Sequence, residues 1–126
     1  MTYCSTTELI ALTGTPLDVT TVLTPIIEAA DKEINTYLVP YGLSGSSSVE
    51  AVNQASLKLA KAGLLDRGLH TGDYQAASGD FESKVDVIRA IEALRKAAFA
   101  LLDQYIDAQR SLSASTRVFG RRVDGR

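Results

Sequence analysis

The side chains able to do chemistry in this 126-residue chain are few and scattered. There is one histidine, His70, and one cysteine, Cys4. A lone histidine among small polar residues is most simply a solvated one. A thiol acts as a nucleophile only when the fold brings a base to it. Asp103 and Asp107 stand four apart, the spacing that puts two carboxylates on one helix face. A carboxylate metal site also needs a second carboxylate–histidine pair to close its shell, and the sequence has none to offer. The glycines around Gly42 and Gly45 do not fall into the spacing of a phosphate-cradling loop. These observations argue against an enzyme and lead to no expected catalytic residue, cofactor or metal.

Charge is more informative. Residues 1–112 hold 9 Lys and Arg against 14 Asp and Glu, a net of −5, whereas residues 113–126 hold 4 Arg against one Asp, a net of +3. A basic end on an acidic body points to a negative partner, or to one that accepts an extended segment. Arg117, Arg121, Arg122 and Arg126 can neutralise phosphates and Phe119 can stack on a base, so a small DNA-associated helical protein is one reading. The acidic body and the lack of a helix with a basic face weigh against it.

The elements that must position these residues read as helices. Ser5-Thr6-Thr7-Glu8 has capping-box spacing, with Gly14 and Pro16 as stops. A second helix starts between Asp18 and Pro25 and carries the apolar stripe Val22, Ile26, Ile27, Ala30, Ile34, Tyr37 and Leu38, until Pro40 and Gly42 end it. Gly45-Ser46-Ser47-Ser48 reads as a flexible linker, and Ser47 to Glu50 offers the next cap. A third helix is expected over 49–65, with Gly63 marking a close helix contact, and residues 70–79 read as a mobile loop.

The fourth helix is expected over 81–112. Val87, Ile88, Ile91, Leu94, Ala98, Leu101, Leu102, Tyr105 and Ile106 form its core stripe; Arg89, Glu92, Lys96, Asp103, Asp107 and Arg110 lie opposite, with Phe99 at the edge. No apolar run reaches the roughly 20 residues of a membrane span, and no leader precedes a cleavage site, so a protein made in the cytoplasm is expected. The expected fold is all-α: a small bundle of about four helices, one of them long and C-terminal. Residues 1–112 would form the domain and residues 113–126 a flexible, extended basic arm. Thr116 to Phe119 has strand-like composition, and Gly120 allows a bend.

Three segments in order, "YCSTTELIALTG", "AADKEINTYLVPYGL" and "ASLKLAKAGLLDRG", precede the long helix and the arginine-bearing end. Tyr3, Ser5, Glu8 and Leu9 fit a Tyr-x-[ST]-x-x-[DE]-[LI] opening, and Ala30, Ile34, Tyr37 and Leu38 fit an [AS]-x-x-x-I-x-x-[YF]-L helix closed by Pro40 and Tyr41. In this the chain resembles the head-completion, or head–tail connector (adaptor), proteins of tailed bacteriophages and proviruses. The resemblance covers most of residues 3–112. Its turn "VPYGLSGSSS", its less basic third helix and its longer loop before helix four depart from the family pattern.

The resemblance implies a structural virion protein of the neck. Such proteins form a ring, usually of twelve subunits, that docks on the portal protein after DNA packaging and carries the next neck or tail-completion protein. DNA passes through the channel without sequence-specific binding, and no membrane is involved. It further implies that the C-terminal segment reaches the portal, which makes Arg117, Val118, Phe119, Arg121 and Arg122 the expected portal-binding residues. A closed ring needs two different faces on each subunit, and Arg89, Glu92, Lys96, Phe99 and Asp103 are the expected subunit interface.

Overall fold

The computed structural model describes residues 3–13, 18–45, 49–71 and 84–123; of residues 71 and 111–123 it describes the backbone alone. The protein is all-α, with four α-helices among the described residues: α1 (Thr6–Thr13), α2 (Thr24–Leu38), α3 (Glu50–Thr71) and α4 (Lys84–Val123). A single π-helical turn (Val19–Leu23) leads into α2, and a 3₁₀ turn (Val39–Tyr41) leaves it. Among the described residues there is no strand, and no helix is long and apolar enough to cross a membrane.

The capping box opens α1 as its spacing predicts. The Glu8 amide donates to Ser5 Oγ at 3.0 Å, and the Ser5 amide donates to Glu8 Oε1 at 3.1 Å, so two amides that a helix start leaves without partners are satisfied reciprocally. Before α2, Asp18 accepts from the Thr21 amide at 2.8 Å and the Thr21 hydroxyl at 2.9 Å, and these bonds hold its carboxyl below the usual range. Pro25 then sits in the first turn of α2, where no donor is needed. After the 3₁₀ turn Gly42 takes a left-handed conformation (φ 69°) that a residue with a Cβ adopts only at a cost, and its amide donates to Val39 O.

Helices α2 and α3 run antiparallel. Ser56 meets Asp31 at one end, and Gly63 meets Ile26 at the other, where an added Cβ would stand 3.1 Å from Ile26 Cγ2. Gly63 is thus the close-contact residue that its place inside a helix suggested. Helix α4 packs chiefly along α3, and it runs parallel to α2, since Glu33 pairs with Arg95 and, further along both helices, Tyr37 with Asp103. The core is a continuous apolar cluster that includes Leu9, Leu23, Ile27, Ile34, Leu64 and Leu102.

Four expectations are corrected. Helix α3 continues past residue 65 to Thr71, so His70 lies in its last turn and not in a loop; its Nδ1 is 2.9 Å from the Asp66 carbonyl oxygen. Leu65 and Gly68 are buried, and that burial outweighs the helix-breaking composition around them. Gly45 is packed against Tyr3 and Val52 rather than loose in a linker. Ile88, assigned to the core stripe, is 46 % exposed. Lastly, α4 does not stop near Leu112 before an extended arm: its backbone stays helical to Val123. Extending an existing helix adds a hydrogen bond for each residue fixed, and residues 113–123 contain no proline to interrupt it. Of the expected loop over 70–79, residues 72–79 lie outside the described residues, as do 46–48 of the linker.

Candidate functional site

Two constellations stand out, one buried and one open. The buried one is built on the N-terminal segment. Ser56 Oγ donates to Asp31 Oδ1 at 2.8 Å and lies 3.2 Å from Cys4 Sγ. The Tyr3 amide donates to Asp31 Oδ2 at 3.1 Å, Asn53 Nδ2 donates to the Tyr3 carbonyl at 2.8 Å, and the Tyr3 hydroxyl donates to Asn35 Oδ1. Burial pushes the Cys4 thiol from 9.0 up to about 11, and burial likewise raises the Asp31 carboxyl. At neutral pH Cys4 is therefore a protonated thiol, the opposite of what a nucleophile needs. The cluster clamps Tyr3 and Cys4 onto α2 and α3.

The open constellation lies between the parallel helices α2 and α4. Because α4 packs mainly on α3, the two splay and leave a mostly apolar groove of about 670 Å³. Ala29, Thr36, Tyr37, Pro40 and Tyr41 line it from α2 and the turn that follows, together with the charged Lys32 and Glu33, and Phe99 lines it from α4. The Tyr37 and Phe99 rings are 4.9 Å apart between centroids and tilted by 42°, a favourable aromatic geometry. The Arg95 guanidinium sits 5.5 Å above the Phe99 ring and pairs with Glu33 through two contacts, at 3.1 and 3.2 Å. Arg110 lies 4.9 Å over the Tyr41 ring. The Tyr37 hydroxyl donates to Asp103 Oδ1 at 2.5 Å, which pushes its pKa from 10.0 up to about 12. A second hollow of about 340 Å³, sharing Ala29 and Glu33, continues the groove toward Ile26 and Ile91.

Of the expected interface residues, Arg89, Glu92, Lys96 and Asp103 are exposed on α4, and Phe99 is half-buried with one side on the core and one in the groove. Phe99 and Asp103 are brought together through Tyr37. Arg117, Val118, Phe119, Arg121 and Arg122, the expected portal-binding residues, lie on helical backbone in the last turns of α4. Reading the sequence alone missed the groove because it placed Tyr37 wholly in the core and gave Arg95 and Glu33 no role. The i,i+4 pairing of Tyr37 with Tyr41 was the available signal.

Among the described residues no group of three His, Cys, Asp or Glu side chains is placed to hold a metal ion, and Asp103 and Asp107 are both exposed. No protein-family model, curated protein or solved structure matches the chain.

Proposed function

We propose that this chain is a structural subunit of a viral neck, forming a ring that docks on a portal after DNA packaging and joins head to tail. The observation that carries the reading is the length of α4. Its 40 residues span about 60 Å, against about 33 Å for the 22 residues of α3. A helix so much longer than its longest partner extends beyond the bundle, and its extension holds the net charge of +3 while residues 1–112 carry −5. A small domain with a basic projection suits a part that bridges two bodies. The ordered sequence segments that resemble connector proteins supply the viral context.

Two measurements test it. Negative-stain microscopy of concentrated protein is expected to show closed rings. Added to DNA-filled heads that lack their connector, the protein is expected to bind and restore tail attachment. A protein that stays monomeric, ignores such heads and is retained on duplex DNA in a salt-sensitive way would instead be the DNA-associated helical protein.

A further inference from the structure

The face of α4 turned away from the bundle carries charges in a definite order. Its core side is fixed by Val87, Ala98, Leu102 and Ile106, which are buried. At 100° per residue Arg89, Ala93, Lys96, Ala100, Asp103 and Asp107 form a line on the far side, and all six are exposed. The steps along it are 4, 3, 4, 3 and 4 residues, the repeat of a seam on which two helices pack side by side. From Arg89 to Asp107 it runs about 27 Å. Its two cations stand in the first half and its two anions in the second. The ion pairs among the described residues join Glu33 to Arg95 and Asp66 to His70, so none of these four charges belongs to one. Arg95 and Arg110 are turned aside, over the rings of Phe99 and Tyr41.

We infer that two copies of this chain pair through this line, antiparallel, about a two-fold axis midway between Lys96 and Ala100. Arg89 of each copy then faces Asp107 of the other, Ala93 faces Asp103, and Lys96 faces Ala100. Lys96 also lies one turn from the same Asp103, within reach of its long side chain. Ile88, an exposed apolar residue at the edge of the line, comes against the exposed Ala108. Glu92, at the same edge, comes against Gln104, so no like charges stand directly opposite. The occupant is a second copy because the line is complementary to itself in this one direction. A parallel copy in register would set Arg89 on Arg89 and Asp103 on Asp103. The alanines let the two helices approach, and the exposed ion pairs fix direction and register more than they add strength. Each copy offers the same surface, so the contact is isologous and closes at two.

The pairing goes beyond the neck reading and does not rest on it. It concerns the free chain. Because it occupies Arg89, Lys96 and Asp103, part of the face expected between ring subunits, a ring closes only after pairs part.

The test is the mass of the full-length chain against concentration by sedimentation, with variants that circular dichroism first shows to be folded. Arg89→Asp and Asp107→Arg change exposed positions, and each sets like charges against each other at both ends of the seam. Each alone is expected to weaken pairing about tenfold or more, since like charges in contact disfavour a partner. Mixed, the two should pair with each other, because one is acidic at both ends of the line and the other basic at both. The double variant Arg89→Asp with Asp107→Arg should pair as the parent does. A parent found only as monomers or only as rings, single variants that pair as the parent does, or a mixture and double variant no tighter than the single variants overturns the pairing. DNA-filled heads bound by a chain that never pairs would also overturn it and leave the neck reading standing. Pairing with the expected charge pattern, by a chain that ignores such heads, would overturn the neck reading and leave the pairing standing.

Discussion

Replacing Gly45 by alanine sets two opposed effects against each other. A Cβ there would stand 2.9 Å from Tyr3 Cζ and 3.1 Å from Val52 Cγ1, closer than carbon atoms approach without displacement. Neither neighbour gives way easily. Tyr3 is held by its amide to Asp31, its carbonyl to Asn53 and its hydroxyl to Asn35. Val52 is fully buried. Forcing a methyl group into such packing costs about 1–3 kcal/mol. Against this, Gly→Ala restricts the unfolded chain and stabilises by about 0.4–1 kcal/mol where the backbone tolerates it, and Gly45 has no positive φ to forbid it. The clash should win by about 1–2 kcal/mol. At about 3–5 °C per kcal/mol for a chain of this size, that lowers Tm by roughly 3–10 °C. The assay is thermal unfolding followed by circular dichroism, for Gly45→Ala alone and combined with Tyr3→Ala. With the ring gone, most of the penalty should vanish and the entropic gain should show. A Gly45→Ala protein that melts higher than the parent, or an undiminished penalty in the Tyr3→Ala background, would refute the reasoning.

Ser5→Ala removes one half of the capping box and should cost about 1 kcal/mol in urea unfolding. Ser56→Ala leaves Asp31 Oδ1 without its donor and should cost about 1–3 kcal/mol; because burial raises the Asp31 carboxyl and favours its protonated form, the loss should be smaller in acid than at neutral pH. The Cys4 thiol, raised in the folded state from 9.0 to about 11, contributes stability that is complete below 9 and lost as pH rises toward 11. Urea unfolding across that range should show the decline, and Cys4→Ala should flatten it; an unchanged slope in Cys4→Ala would assign the decline to another group.

Legibility in the sequence followed the range of the interaction. The capping box of Ser5 and Glu8, the first-turn Pro25 and the part of the α2 stripe formed by Ile27, Ala30, Ile34 and Leu38 are local patterns of three or four residues, and each stands where expected. Gly63 was legible because an unfavourable residue inside a helix needs a packing reason. Composition misled at the ends of α3 and α4, where Gly, His, Ser and Thr argue for loops, but burial of Leu65 and Gly68 keeps α3 helical and propagation keeps the backbone of α4 so. The groove was not legible. Tyr37 and Asp103 are 66 residues apart, Glu33 and Arg95 are 62 apart, and only the parallel course of α2 and α4 brings them together.

The clamp on Tyr3 and Cys4 has a consequence for the order in which the chain assembles. Its partners lie 28 residues away at Asp31, 50 at Asn53 and 52 at Ser56. Contacts of such separation form only after the loops between them have closed, and here they require α2 and α3 already to be paired. Tyr3 and Cys4 precede all of these partners in the chain and are thus among the last residues to find their place. Until residues 53–56 have packed, Cys4 has no Ser56 beside it and its thiol is open to solvent and to oxidants. In pulsed thiol labelling during refolding, Cys4 should stay reactive after most helical signal has returned, and its protection should mark the closing step of folding.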